Sequence, residues 1–184
     1  LVAGDEFQAR LATLRSRDRV DYAGVTEAKE QVFRLLFRTL MKDGDGERQH
    51  VFRQFVEKGG KPLKYLCIFY CLHEHFGSGR RSGGWQSWPL AYHDPDSEAV
   101  REFAGRHRER VRYHMYLQWL AHEQLAAAED AAREAGMKIG VYRDLAVGVN
   151  GSGPEAWADR ELYTPRASIG APPDPLALQG QDWG

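Results

Sequence analysis

The chain has 184 residues, 42% hydrophobic and 28% charged, which suits one ordinary domain or two small ones with a sizeable core. Lysine and arginine number 25 against 26 acidic residues, so a formal net charge of -1 supplies no global field to gather nucleic acid or an anionic membrane. The longest unbroken apolar run, Tyr65 to Leu72, falls far short of the roughly 20 residues needed to span a bilayer as a helix. Cys67 and Cys71 lie one helical turn apart in that run, which argues against a secreted disulfide framework and for a reducing, cytoplasmic setting. The opening Leu1-Val2-Ala3-Gly4, without Met or a basic leader, reads as a piece of something longer.

From Asp5 to Phe76 apolar residues recur at steps of three and four, and Gly, Asp or Pro separate the periodic stretches, predicting four helices. The first spans Glu6 to Arg17 with Asp5 as its cap and Phe7, Leu11 and Leu14 on one stripe. The second, Thr26 to Lys42, presents Val32, Leu35, Leu36 and Leu40, then stops at Asp43-Gly44-Asp45-Gly46. An EF-hand does not fit that turn: the Glu required at its twelfth position is Gln54 counted from Asp43 and Val56 counted from Asp45. The third, Glu47 to Lys58, ends at Gly59-Gly60, and Pro62 opens a fourth that continues to about Phe76.

Gly77 to Asp96 reads as a loop: a mobile glycine-rich tip with Arg80-Arg81, then aromatic anchors in Trp85-Gln86-Ser87-Trp88-Pro89. Ser97 caps a long helical pattern through Val111, Met115, Leu120, Ala121, Leu125 and Ala128 to Ala135, with Gly105 as a point of division and Gly136 as the stop. The apolar, β-branched run Ile139 to Val149 then predicts a buried strand. A long helix delivered through a tight glycine turn into such a strand is half of a βαβ repeat. One strand cannot pair its own N–H and C=O groups, so its neighbours are expected outside this chain.

Several groups invite chemistry. Cys67, Cys71 and His75 are zinc-type ligands at i, i+4 and i+8, but a straight helix spreads them over roughly 12 Å, so they read as core and no metal is expected. Arg106, Arg108, Arg110 and Arg112 with His107 form a basic cluster; Glu102 and Glu109 lie one turn from Arg106 and Arg112, making a solvated, partly paired face the better reading than a phosphate site. Metalloprotease, esterase, P-loop and dinucleotide motifs are all missing from the sequence. Asp144, inside the strand run, needs a partner or a site: local hydrogen bonds to backbone and a substrate role stay open side by side. Trp157, Asp174, Gln181, Asp182 and Trp183, in a Gly- and Pro-rich stretch, combine flat apolar faces with polar groups in a way that suits sugar rings, though loop aromatics also serve as anchors.

Tyr142-Arg143-Asp144-Leu145-Ala146-Val147-Gly148-Val149, Glu155-Ala156-Trp157-Ala158-Asp159, Gly170-Ala171-Pro172-Pro173-Asp174-Pro175 and Gln179-Gly180-Gln181-Asp182-Trp183-Gly184 resemble, in order and spacing, the amylomaltase family of 4-alpha-glucanotransferases, of bacterial type. Trp85-Gln86-Ser87-Trp88-Pro89 and Tyr116-Leu117-Gln118-Trp119-Leu120 extend the resemblance over most of the chain. It implies a (β/α)8 barrel with helical insertions, related to the alpha-amylase clan, that moves α-1,4-glucan segments between maltooligosaccharides by a retaining double displacement without a cofactor. In that family the nucleophile Asp, the acid/base Glu and a further Asp lie downstream of the Gln-Asp-Trp-Gly segment. The resemblance therefore implies no catalytic residue in this chain and makes Asp144, Trp157, Asp174, Gln181 and Trp183 candidate substrate-binding positions. Many members carry an acidic residue just after the strand, where this chain has Asn150-Gly151-Ser152.

The expected fold class is mainly α, with about six helices and one or two strands: a partial segment of a (β/α)8 barrel with a helical insertion. Residues 1–96 form the insertion with its Gly/Trp-rich loop, and 97–184 form the barrel segment with substrate-side loops. Such a piece is expected to be inactive alone and to self-associate through an exposed strand edge. The alternative is a helical interaction module whose Trp-rich loop and arginine cluster bind a protein or polyanion.

Overall fold

The helical text becomes six α-helices among the described residues: α1 (Asp5–Arg15), α2 (Tyr22–Lys42), α3 (Glu47–Gly77), α4 (Glu98–Arg106), α5 (Arg108–Glu134) and α6 (Pro154–Ala158). Two short strands, β1 (Gly170–Ala171) and β2 (Gln181–Asp182), pair antiparallel with Gly170 opposite Asp182 and Ala171 opposite Gln181. The computed structural model describes residues 1–42, 44, 46–77, 83–163 and 167–183. Asp43 and Asp45 of the EF-hand test and Arg80-Arg81 of the glycine-rich tip lie outside them.

Two compact units form, Leu1–Phe55 and Val56–Gly184. They describe where the chain packs on itself; the division at residues 96 and 97 concerns which part of a barrel each half would belong to. In the first unit Phe7 of α1, Ala28, Phe37 and Leu40 of α2, and Phe52 of α3 are buried. Leu35 and Leu36, expected on the apolar stripe of α2, are instead exposed, because the buried face is set by Ala28, Phe37 and Leu40. Arg10 of α1 pairs with Glu27 of α2 at 2.7 Å. Gly4, not Asp5, is the N-cap of α1; Asp5 sits in the first turn, where its charge meets the positive end of the helix dipole.

In the second unit the predicted break between the third and fourth helices is real. Gly60 has φ 52°, a left-handed conformation that a residue with a Cβ adopts only at a cost, and Pro62 begins the turn beyond it. From there α3 buries Leu63, Cys67, Ile68, Cys71 and Leu72 at helical spacing. Ser97 caps α4 as expected, its Oγ accepting from the Val100 N–H at 3.2 Å. The division of the long helix falls at His107 rather than Gly105. Glu74 of α3 and Arg110 of α5 form a bidentate pair, with Nε to Oε2 at 2.8 Å and Nη2 to Oε1 at 2.5 Å. Arg110 of the basic cluster thus takes a partner from another helix, one that i, i+4 spacing could not name.

Gly136, φ 84°, ends α5 as predicted: its N–H bonds Arg133 O at 2.9 Å and the Met137 N–H bonds Ala132 O at 3.0 Å, satisfying two terminal carbonyls. Residues 139–149 depart from expectation. They form no strand and, Gly140 apart, they are not buried; Tyr142 is 87% and Leu145 88% exposed. The run is apolar and β-branched enough for a strand, but no described segment pairs with it, and unpaired backbone groups stay in water. The strands that do form lie in the C-terminal hairpin.

Candidate functional site

The C-terminal segment starts from a fixed point on α5. Glu129 accepts the Val141 N–H at 2.9 Å with Oε2 and pairs with Arg133 at 2.7 Å through Oε1. The Val141 bond and the Arg133 cation hold the Glu129 carboxyl below its ordinary range against the opposing effect of burial. Gly140, φ 78°, allows this closure: a Cβ there would collide with the Glu129 carboxylate. Beyond Val141 the chain runs exposed through Asp144, which has no side-chain partner among the described residues. Local hydrogen bonding of the Asp144 carboxylate to backbone is not found among the described residues.

At Asn150–Gly153 the chain turns. Asn150 accepts the Ser152 N–H with Oδ1 at 2.9 Å and the Gly153 N–H with its carbonyl at 2.7 Å. The Gly151 carbonyl takes two donors from a loop about 65 residues earlier in the chain: Trp85 Nε1 at 3.1 Å and Gln86 Nε2 at 2.7 Å. Ser152 Oγ donates to Gln86 Oε1 at 3.3 Å. Pro154 then opens α6, which delivers Trp157 into the core.

Trp157 is 0% exposed. Its ring centroid lies 5.8 Å from Phe69, 6.1 Å from Tyr65 and 6.3 Å from Trp88, and its Nε1 donates to the Tyr92 carbonyl at 2.8 Å. No face of the indole is left for a sugar here; its large apolar area is spent on packing and its one donor is satisfied internally. Trp85 and Trp88 are likewise buried, as the reading of aromatic anchors required.

Asp174, Gln181 and Trp183 belong to the C-terminal hairpin. Asp174 Oδ1 accepts the N–H groups of Leu176 and Ala177, each at 2.7 Å, ordering the loop between the strands. Gln181 Oε1 accepts Trp183 Nε1 at 3.0 Å, and the Trp183 N–H reaches Ile169 O at 2.7 Å. Trp183 is 49% exposed and lies beside the Gln181 amide. The fold therefore gathers Asp174, Gln181 and Trp183 on one hairpin; Asp144 and Trp157 join them through no hydrogen bond, ion pair or ring contact among the described residues.

One cluster had no signature in the sequence. Tyr65 Oη donates to Asp96 Oδ1, Lys61 Nζ reaches Asp96 Oδ2 at 2.9 Å, and the ammonium lies 5.0 Å from the Tyr65 ring centroid. The Tyr65 hydroxyl and the Lys61 ammonium hold the Asp96 carboxyl below its usual range; burial, then the bond to Asp96, push the phenol up. Lys61 and Tyr65 also line a groove of about 680 Å³ with Leu66, Glu155, Asp159 and Tyr163. Only the i, i+4 spacing of Lys61 and Tyr65 is visible in the sequence; Asp96 lies more than thirty residues away.

Cys67 and Cys71 are buried free thiols, and burial pushes both up to about 12, far from the thiolate that a nucleophile needs. No group of three or more His, Cys, Asp or Glu able to hold a metal ion occurs among the described residues. No described helix is long and apolar enough to cross a membrane.

Comparison with known proteins places this geometry in a family. A family model described as 4-alpha-glucanotransferase matches residues 1–184. A 4-alpha-glucanotransferase of Haemophilus influenzae is 32% identical over 97% of this chain and 27% of its own length, and one of Mycobacterium bovis is 34% identical over 90% and 22%. The chain thus spans about a quarter of the curated relatives it matches. Among solved structures, an amylomaltase from Streptococcus agalactiae in complex with acarbose superposes with a TM-score of 0.74 at 25% identity, covering 90% of this chain and 33% of that one. Amylomaltase from Corynebacterium glutamicum gives 0.59 at 34% identity, covering 86% and 19%. The alternative of a helical interaction module finds no support in these likenesses.

Proposed function

Because this chain belongs to the 4-alpha-glucanotransferase family, we propose that it is part of an enzyme that transfers α-1,4-glucan segments between maltooligosaccharides by a retaining double displacement. The observation that carries this reading is the family match along the whole of residues 1–184. In such a reaction one carboxylate attacks the anomeric carbon, a second carboxyl group protonates the departing sugar, and an acceptor hydroxyl takes the place of water in the second step. We assign neither carboxyl role to this chain. Glu74, Asp96 and Glu129 are all displaced downward, the wrong direction for a general acid, which must hold its proton near neutral pH.

The chain's contribution is to binding. Trp183 and Gln181 offer a half-exposed ring next to an amide, a pairing suited to a sugar face and its hydroxyls, and Asp174 orders the loop that carries them. Asp144 stands on the segment that becomes a strand when barrel neighbours are supplied. Trp157 acts from beneath, fixing the start of the loop region. On this reading residues 1–96 are a helical insertion and 97–184 a segment of a (β/α)8 barrel, working in the cytoplasm without a cofactor. The full polypeptide containing this chain is expected to convert maltotriose into glucose and longer maltooligosaccharides, with acarbose competing. Absence of transfer by folded full-length protein overturns the reading. The 184-residue chain alone is expected to release no glucose from maltose.

On its own the chain self-associates through residues 139–149. Two copies paired antiparallel about the Arg143–Asp144 bond set Arg143 opposite Asp144 on each face and Tyr142 opposite Leu145, whereas a slip to pairing about either residue alone opposes like charges. Sedimentation is expected to show dimers that Asp144→Arg weakens and that the swapped pair Arg143→Asp with Asp144→Arg restores.

A further inference from the structure

The turn after residue 149 is held by more than its own backbone. The Gly151 carbonyl has two lone pairs, and Trp85 Nε1 and Gln86 Nε2 occupy both. Gln86 Oε1 in turn accepts Ser152 Oγ, so one amide side chain grips the turn at two points. The grip comes from a rigid base: Trp85 is buried, and Trp88, three residues on, packs on Trp157 and Phe69. Gly84 completes it, since a Cβ at that position would collide with the Ser152 side chain. The loop before α4 thereby fixes a turn that sequence places at the C-terminal end of the 139–149 run. In parallel α/β folds the ends of strands on that side carry the substrate.

From this geometry we infer that Trp85 and Gln86 are positioning residues for glucan binding, setting the Asn150–Gly153 turn at the rim of the site. The inference rests on the transferase reading and adds to it two residues far along the chain from the C-terminal hairpin. Their effect is on where the turn stands, so it falls on substrate binding more than on the chemical step.

The test uses the full-length enzyme. Gln86 is exposed, so Gln86→Leu is expected to leave the melting temperature unchanged while raising KM for maltotriose about tenfold with kcat within about twofold. Gln86→Lys, which keeps a donor within reach of the Gly151 carbonyl, recovers most of that loss. In the 184-residue chain, Gln86→Leu is expected to speed amide exchange in residues 150–158 at least about tenfold, independently of any activity. An active wild type whose Gln86→Leu form keeps its KM, or unchanged exchange in that peptide, overturns the inference alone. An inactive wild type overturns the transferase reading and this inference with it.

Discussion

Two apolar groups of residues in this chain meet opposite fates. The aromatic knot of Tyr65, Phe69, Trp88 and Trp157 is closed by its own residues, with the Trp157 Nε1 donor satisfied by a carbonyl inside the same unit. The run 139–149 carries Ile139, Tyr142, Leu145 and Val147 into solvent. Helical segments satisfy their backbone internally and need only a neighbour's side chains to become buried. A strand needs a neighbour's backbone as well, and apolar composition cannot substitute for it. Burial in this molecule therefore follows who supplies the hydrogen bonds, not how greasy the text is.

The contrast breaks most visibly at Trp157. Trp157→Ala removes the indole that meets the other three rings of the knot and is expected to cost about 3–5 kcal/mol, read as a lowered midpoint in urea unfolding of the 184-residue chain. Ser97→Ala removes the cap that starts α4 and is expected to cost about 1 kcal/mol in the same assay. The Glu74–Arg110 pair ranks next. Burial pushes the Glu74 carboxyl up, but Arg110 and His114 outweigh it and hold it below its ordinary value of 4.5. Its contribution is therefore present above that value and is lost as pH falls through the lowered folded value, where the folded state must also take up the proton. Because the carboxylate side chain is 43% exposed, the pair is discounted to about 1 kcal/mol or less, and Glu74→Gln is expected to flatten that part of the acid limb. Leu145→Ala is the smallest and sharpest case: in the 184-residue chain diluted to monomer, a large aliphatic deletion at 88% exposure is expected to shift stability by less than about 0.5 kcal/mol. A loss approaching about 2 kcal/mol, the size of a buried-leucine truncation, is expected only at concentrations where the chain dimerises and Leu145 meets Tyr142 of a second copy; the same loss in the monomer would mean that residue 145 has a partner within its own chain.

The candidate site was legible in parts. Asp174, Gln181 and Trp183 lie close in sequence, and one hairpin brings them together, Gly170 admitting the opposite strand because a Cβ would strike the Gln181 carbonyl. Trp157 was readable as an aromatic in a loop region, but whether its face meets a sugar or a neighbouring ring depends on Phe69 and Trp88, far away along the chain. The grip on Gly151 and the Lys61–Tyr65–Asp96 cluster left almost no local trace, for the same reason.

By itself, the sequence determined the features that close over a few residues: the helices and their apolar spacing, the break at Gly60, the cap at Ser97, the stop at Gly136, and the motif order that marks the family. These depend on backbone conformation and on i, i+3 and i+4 neighbours, which a local text records. Tertiary structure alone decided that Trp157 is an internal anchor, that Arg110 answers Glu74, that Gly151 is gripped from residues 85 and 86, and that 139–149 lies open. Each of these turns on groups that only folding brings within hydrogen-bond or van der Waals distance, and no period in the sequence encodes such a meeting.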